Sequence, residues 1–449
     1  MNPRKGAYRV LAKILYEETY SNIALNEEIQ KGKYIDKDLS LLTELVYGTL
    51  EKLLTLNFGI DHFSKVKTKK MDEATRLILQ MGAYQILFLD RIPDFAIANE
   101  AGKLANVYAK RSKGFINGVL RNMIRRKEEI PWPKKEDKYA LYLSVTYSYP
   151  KWLVQEFLKY YSNAFTEDYF KASVESPPLY FRVNTLKVSR ETFLEHLREQ
   201  GLEFETTTIL SEGIKVKGIK NITEFSPLKK GWVHIQDLSS MLSAKFLDPS
   251  PGERIMDICS APGGKTTHMA QLMGNKGRII ARDIFPHKLQ LIEEHSRRLG
   301  IDIIETQEYS GEDLDKESIA SADRVLVDAP CSGLGVIGRK PEIKYRLQKE
   351  GLKALQDLQL RILENASKYV KPGGILVYST CTIHPLENQG ITEAFLKKQG
   401  SFTPLDLRKD LPKGLENPGD IFTDSGEVMI FPQNHEMDGF YIRKFQKNR

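Results

Sequence analysis

The chain has few thiols and imidazoles for its length. Its 449 residues include three cysteines and eight histidines, and no two cysteines form a CxxC pair. A disulfide framework and a zinc site each need more of these side chains at closer spacing, so the count argues against both and predicts no metal. Thiolate chemistry or packing is left for the three thiols.

Long apolar runs are also lacking. No stretch approaches the roughly 20 apolar residues that span a bilayer, and the N-terminal sequence MNPRKGAYRV lacks the apolar core of a signal peptide. The composition is ordinary, with 41% hydrophobic and 28% charged residues. We therefore expect a cytoplasmic protein with no membrane partner and roughly two to four domains.

The positive charge is concentrated in the N-terminal third. The net charge is +7, and residues 1–130 hold 22 basic against 16 acidic side chains, whereas the remainder holds 44 against 43. A basic module joined to a near-neutral one favours a polyanionic partner, because phosphate contacts supply affinity that is independent of sequence. A solvated, lysine-rich surface is the alternative.

Apolar residues at helical spacing predict a helical bundle in the same third. The last of these helices ends in a basic strip, which indicates either RNA contact or cations that complement the helix dipole. The strip is formed by Arg121, Arg125, Arg126 and Lys127. The predicted helices cover residues 5–18, 39–56, 74–88, 96–108 and 115–127.

The middle of the chain predicts a linker and a small α/β unit. Residues 131–138 read as a linker, and a helix follows over 151–161. Strands are predicted at 180–184, 214–216 and 232–235, with a capped helix over 189–200.

From residue 252 onward, strands alternate with helices, a pattern typical of an open parallel sheet. Each cysteine directly follows or lies just beyond a predicted strand: Cys259 in DICSAPGGK, Cys331 in DAPCSG and Cys381 in YSTCT. Neighbouring parallel strands end at one edge, so we expect Cys331, Cys381 and Asp328 to converge there. Cys259 ends an apolar run, and packing remains an alternative for it.

The loop APGGKT has the features of a ligand-binding turn between strand and helix. Its adjacent glycines, Gly263 and Gly264, let the backbone approach a cofactor, and the helix that follows directs unpaired N–H groups at it. Asp283 ends the next strand, at the interval where an acidic residue meets a ribose diol. The loop matches neither GxGxxG nor a P-loop, which argues against nicotinamide and ATP.

Together these motifs carry a resemblance. DICSAPGGKT, RDI, DAPCSGLGVIGRKPEIKY and STCTIHPLENQ resemble the S-adenosylmethionine-dependent RNA cytosine-5 methyltransferases, and VLRNMIRR resembles the NusB-type RNA-binding domain. With FRVNTL, QDLSSML and DGFYIRKF, essentially the whole chain is similar to the RsmB (Sun/Fmu) family, which modifies 16S ribosomal RNA.

The resemblance implies a multidomain fold: an all-α NusB-like bundle over residues 1–130, a linker and small α/β domain over 131–235, and a Rossmann-like catalytic domain over 236–449. It implies a monomer that uses S-adenosyl-L-methionine and methylates a single-stranded or loop cytosine, cytosine 967 of the 16S RNA. Cys381 would be the nucleophile and Cys331 the group that assists release, with Asp328 and Lys265 aiding catalysis. The implied cofactor residues are Cys259, Ser260, Ala261, Pro262, Gly263, Gly264, Lys265, Asp283 and Asp328.

The chemistry explains the need for two thiols. A thiolate must add to C6 of cytosine before C5 can accept a methyl group, and a second group must then assist its release. Cys331 as the nucleophile, as in DNA enzymes, or as a packing residue stays an alternative, as does a non-catalytic RNA-binding factor. The adenine side of the cofactor is left to Glu308 or Ser310. The basic segment Arg339, Lys340, Lys344 and Tyr345 is predicted to grip RNA, with a solvated loop as the alternative.

Overall fold

The fold comes from a computed structural model that describes residues 2–32, 34–219, 221–410, 423 and 425–449. The chain divides into two compact units. The first consists of Met1–Glu175 and Ile337–Lys349, and the second of Ser176–Val336 and Glu350–Arg449. Each unit is described by itself.

The first unit is a helical bundle. Its helices bury the apolar faces that the sequence predicts, and the side chain of Asn2 caps the first by accepting from two backbone N–H groups. The predicted helix over 39–56 is instead two helices that meet at Lys52, because the first packs on α1 and the second on α5. The helices are α1 Pro3–Tyr16, α2 Ser21–Lys31, α3 Asp36–Glu51, α4 Leu53–Phe63, α5 Glu73–Phe88, α6 Asp94–Tyr108, α7 Lys113–Arg126, α8 Tyr139–Thr146, α9 Lys151–Tyr160 and α10 Asn163–Ala172.

A distant segment completes this bundle. Residues 337–349 carry a short helix, Ile343–Arg346, whose side chains bond to the ends of the bundle helices. The Tyr345 hydroxyl donates to the carbonyl of Leu50 at 2.8 Å, and the Arg346 guanidinium donates to the carbonyl of Thr19 at 2.6 Å. We call residues 337–349 the docked segment.

The second unit begins with a small antiparallel sheet in the order β2-β3-β1-β4. Its strands are β1 Tyr180–Val183, β2 Phe204–Thr206, β3 Gly213–Val216 and β4 Val233–Ile235. The helix α11, Arg190–Glu199, is capped by the Ser189 hydroxyl, as its sequence predicts. A four-residue helix, Ser226–Lys229, precedes β4.

The rest of the second unit is a large sheet with helices between its strands. Five strands are parallel, as the sequence predicts, and their order is β9-β8-β5-β6-β7. The last long strand, β12, runs antiparallel beside β9. The sheet is mixed because β12 pairs antiparallel both with β9 and with β11, to which it is joined by residues 431–439. The strands are β5 Arg254–Asp257, β6 Arg278–Asp283, β7 Ile304–Glu308, β8 Ala322–Asp328, β9 Val370–Thr380, β10 Phe402–Leu405, β11 Val428–Ile430 and β12 Phe440–Lys447.

The helices of this part are α12 Leu238–Leu247, α13 Gly264–Leu272, α14 Pro286–Leu299, α15 Lys349–Tyr369 and α16 Gln389–Lys398, with a final four-residue helix at Pro432–His435. Strands β9, β8 and β5 are direct neighbours, so the three loops that carry the cysteines leave one edge of the sheet. Within the described residues, no helix is both long and apolar enough to cross a bilayer.

Candidate active site at the carboxyl edge of the large sheet

Two thiols meet where β8 and β9 end. The strands pair in parallel, with Asp328 opposite Ser379, and the loops that follow bring the Sγ atoms of Cys331 and Cys381 to 3.4 Å. The hydrogen bond to Cys381 and burial raise the pKa of Cys331 well above its usual value. The raised pKa favours the protonated form of Cys331, and either sulfur can donate the hydrogen bond between them.

A partly buried ion pair lies at the same edge. Lys265 Nζ is 2.7 Å from Asp328 Oδ2, and the Ser379 hydroxyl donates to Asp328 Oδ1 at 2.9 Å. Burial lowers the pKa of Lys265, but Asp328, with a smaller contribution from the charge of Cys381, raises it above its usual value. Lys265 is thus a stable ammonium whose charge favours a thiolate on Cys381.

Hydrogen bonds to backbone carbonyl groups hold the loop from Cys259 to Lys265. The Ser260 hydroxyl donates to the Arg282 carbonyl at 2.9 Å, and the Gly263 N–H donates to the Ser260 carbonyl at 2.8 Å. Gly263 has a φ of +97°, and a Cβ there would lie 3.2 Å from the backbone of Ile292. Only glycine allows this turn. The peptide bond between Ala261 and Pro262 is cis.

Asp283 lies beside this loop at the end of β6. Its carboxylate accepts from the N–H of Ala261 at 3.3 Å and of Phe285 at 3.1 Å. In the described part of the chain no cation forms a salt bridge with it, so the carboxylate is available to a ligand hydroxyl. Of the two candidates for the adenine side, Glu308 lies opposite Asp283 in the parallel register of β6 and β7. The Ser310 hydroxyl accepts a hydrogen bond from the N–H of Glu312 at 3.2 Å.

The comparisons with known proteins agree along the whole chain. Residues 1–125 match the NusB family, residues 149–223 the ferredoxin-like domain of RsmF/B-type methyltransferases, and residues 244–446 the 16S rRNA methyltransferases RsmB/F. The "Probable ribosomal RNA small subunit methyltransferase B" of Bacillus subtilis is 36% identical, with 99% of this chain and 98% of that protein aligned. Its namesake in Synechocystis is 34% identical, with 100% of both chains aligned. The chain belongs to the ribosomal RNA small subunit methyltransferase B family.

Solved structures support the same fold. The crystal structure of PH0851 matches with a TM-score of 0.84 at 27% identity, covering 100% of this chain and 99% of that one. NSun6 from Pyrococcus horikoshii, solved with SFG, matches with a TM-score of 0.60 at 25% identity, covering 67% of this chain and 98% of that one. The predicted family, fold class and S-adenosylmethionine cofactor are thereby confirmed.

The loop of this methyltransferase fits that cofactor. The atoms nearest to the place where a Cβ of Gly264 would stand belong to the side chains of His234 and Gln236, at 3.7 to 3.9 Å, and the Asp283 carboxylate accepts from backbone N–H groups. Residues 259–265 and Asp283 would hold the nucleoside and methionine parts of S-adenosylmethionine. Cys259 is half-buried and packs against the apolar core cluster that includes Met256 and Ile258. Burial raises the pKa of its thiol. That environment favours packing over thiolate chemistry for Cys259.

Sequence reasoning missed three buried residues of the methyltransferase site. Asp257 accepts from the Thr266 hydroxyl at 2.7 Å, and burial raises its pKa to about 7. The guanidinium of Arg182, from the small sheet, donates to the Gly264 carbonyl at 2.7 Å. The third, Glu387, bonds to both cysteine loops. Only the motifs FRVNTL and STCTIHPLENQ could have drawn attention to the latter two.

The prediction that the docked segment grips RNA is wrong for two of its four residues. Lys344 is 0% exposed, and its ammonium lies 3.1 Å from the Glu51 carbonyl. Tyr345 packs against the core of the bundle. Both side chains are used for docking because the segment folds into the first unit, which its position after DAPCSG did not indicate. For the other two residues the prediction stays open. Lys340 Nζ lies 4.7 Å from the ring centre of Tyr20, and Arg339 also interacts with other residues of the protein.

Proposed function

We propose that this methyltransferase transfers a methyl group to C5 of a cytosine in 16S ribosomal RNA through a covalent adduct between Cys381 and C6. The observation that supports the proposal is the pair of thiols at 3.4 Å beside the Lys265–Asp328 ion pair. Methyltransferases that act on oxygen or on exocyclic nitrogen need no thiol that adds to a ring carbon. Two thiols at one strand edge therefore favour C5 chemistry.

In the proposed mechanism Cys381 acts first. Its thiolate forms a bond to C6, which places negative charge on the N3 side of the ring and makes C5 nucleophilic. The ion pair of Asp328 and Lys265 lies at the same edge and donates a proton or a hydrogen bond to N3 as that charge develops. Bound S-adenosylmethionine supplies the electrophilic methyl group that C5 takes up.

Cys331 acts in the second half of the proposed reaction. Once C5 carries the methyl group, its proton passes to water, the electron pair of the C5–H bond re-forms the C5=C6 double bond, and the bond between Cys381 and C6 breaks. In this proposal Cys331, whose pKa is raised, carries the proton, and from 3.4 Å it donates a hydrogen bond to the departing sulfur of Cys381 and favours its release as thiolate. The two thiols thus have different tasks although they are neighbours.

The substrate must present an unstacked base. A cytosine in a duplex cannot expose C6 to Cys381, so the target is a single-stranded or flipped nucleotide, and cytosine 967 is the position we propose. In the proposed division of the chain, residues 1–130 bind the RNA backbone and residues 131–235 form the linker and the small domain. Residues 236–449, without the docked segment, form the catalytic domain. Arg121, Arg125 and Arg126 are exposed on α7 and suit phosphate contacts.

Incubation with labelled S-adenosylmethionine and 16S RNA, followed by bisulfite sequencing, tests the proposal. We expect one protected cytosine, no product from Cys381→Ala, and a covalent protein–RNA adduct that accumulates in Cys331→Ala. The unaltered chain is the control and should methylate the RNA without accumulating an adduct. An adduct from Cys381→Ala and none from Cys331→Ala would exchange the two roles, and methylation of another base would overturn the proposal.

A further inference from the structure

Glu387 is a buried carboxylate that the proposed mechanism does not use. It lies six positions after Cys381 in STCTIHPLENQ, and its side chain is 0% exposed. Its carboxylate accepts hydrogen bonds from the Ser332 N–H at 2.8 Å, the Ser332 hydroxyl at 2.5 Å and the Gln359 amide at 2.9 Å. The Thr382 hydroxyl lies 3.4 Å from it. All of these donors are neutral.

The donors connect the two cysteine loops. Ser332 directly follows Cys331, and Thr382 directly follows Cys381. The hydroxyls of Ser332 and Thr382 also lie 2.8 Å apart, so Glu387 closes a small network between the loops. The amide of Gln359, on α15, bonds to the carbonyl of Pro330 as well, on the other side of Cys331.

Asn388 holds the second loop in the same way. Its Oδ1 accepts from the Thr380 hydroxyl at 2.6 Å, and its Nδ2 donates to the Thr382 carbonyl at 2.9 Å. The residues before and after Cys381 are therefore both tied to one side chain, which is also 0% exposed. The Tyr378 hydroxyl donates to the Glu387 carbonyl at 2.7 Å and ties the pair to β9.

A carboxylate in this place is costly for folding. Burying a charge among neutral donors carries a desolvation penalty that a nonpolar or amide side chain of the same size would avoid. An acceptor-only group is nevertheless required here, because three donors from two separate loops point at one site. The negative charge of Glu387 also contributes to the raised pKa of Cys331.

We propose that Glu387 is a positioning residue which, together with Asn388, sets the separation of the Cys331 and Cys381 thiols. It acts through Ser332 and Thr382 and does not touch the substrate. The catalytic consequence rests on the proposed function, but the geometric claim does not. Without the carboxylate the two loops lose their common acceptor and are joined only through the bond between the Ser332 and Thr382 hydroxyls, so the separation of the thiols varies more.

Phenylarsine oxide tests the geometry without any substrate. It condenses with two adjacent thiols, forms two As–S bonds and releases one water, so its affinity reports how well the pair is positioned. We expect Glu387→Ala to lower that affinity at least about tenfold, and Glu387→Asp to lower it less, because loose positioning removes an intramolecular advantage. Cys331→Ala, with one thiol left, defines the lower limit of binding.

Glu427→Gln is the matched control. Glu427 is also buried, but it pairs with Arg443 at 3.0 Å, so its loss should lower the melting temperature without changing arsenical affinity. In turnover, Glu387→Gln should lower kcat about a hundredfold and leave KM for S-adenosylmethionine within about twofold, as expected for misplaced reacting groups. Unchanged arsenical affinity in Glu387→Ala would overturn the positioning role. If arsenical affinity falls in Glu387→Ala as expected but the unaltered chain does not methylate cytosine, only the proposed function is overturned.

Discussion

Lys265 is partly buried and Lys344 is fully buried, yet their environments shift the pKa in opposite directions. Lys265 bonds to the Asp328 carboxylate at 2.7 Å, and its pKa is raised despite burial. Lys344 donates hydrogen bonds to the carbonyl groups of Glu51 and Tyr147, and burial lowers its pKa to about 7. A carboxylate within hydrogen-bond distance decides whether a buried ammonium keeps its charge.

The difference separates catalysis from docking. At the edge of the large sheet a fixed charge is useful, because negative charge develops on the sulfur and on the base during the proposed reaction. In the helical bundle the long lysine side chain mainly fills space, with its Nζ 4.8 Å from the ring centre of Tyr149. Burial of a lysine is thus a weak sign of function unless the partner is known.

Removing the catalytic lysine should have the largest effect. We expect Lys265→Met to lower kcat by about 10²- to 10⁴-fold, because the transition state loses a charged hydrogen-bond donor. Single-turnover methylation at saturating RNA and cofactor measures this. Lys344→Met, the matched buried lysine, should leave kcat unchanged, and an equal loss in both variants would contradict the contrast drawn between them.

The second prediction concerns Asp283, whose carboxylate forms no salt bridge among the described residues. We expect Asp283→Ala to weaken S-adenosylmethionine binding roughly ten- to a hundredfold, because charged hydrogen bonds to a diol contribute about 1.5 to 3 kcal/mol. Calorimetry with the full chain measures the change. Glu308→Ala, at the paired position of β7, serves as the comparison, and unchanged affinity in Asp283→Ala would remove that residue from the cofactor site.

The bundle surface should affect RNA binding more than chemistry. Replacing Arg121, Arg125 and Arg126 together by glutamine should flatten the slope of log K against log salt by about two to three, because fewer counterions are released. Filter binding of 16S RNA at several salt concentrations measures the slope. This variant is preferable to deletion of residues 1–130, since the deletion would strip the docked segment of its packing partners. An unchanged slope would exclude this strip as an RNA contact.

The smallest effect concerns the stability of the bundle. A lysine whose folded pKa is about 7, below its usual 10.5, binds protons less well when folded, so stability should rise as pH increases through that window. We expect the melting temperature of the bundle transition to rise by at least about 3 °C between pH 7.5 and 9.5. Lys344→Met should remove most of the rise, and the exposed Lys31→Met should not. Glu51, with its pKa raised to about 7, acts in the opposite direction at lower pH.

Features encoded within a few residues could be predicted from the sequence. The bundle helices, the alternating strands and helices, and the glycines of the cofactor loop all follow from local spacing and turn chemistry. The convergence of Cys331 and Cys381 also follows, since strands joined by one crossover are usually neighbours. The break at Lys52 and the antiparallel β12 did not, because both depend on which surfaces the segments pack against.

The sequence by itself determined which reactive side chains are present and which strands they follow. Tertiary structure alone decided how they are paired. The bond from Glu387 to Ser332 joins residues 55 positions apart, and the bond from Lys344 to Glu51 joins residues 293 positions apart. Hydrogen bonds and pKa values depend on distances of a few ångströms, and separations of that kind are set by packing of the whole chain, which no local pattern records.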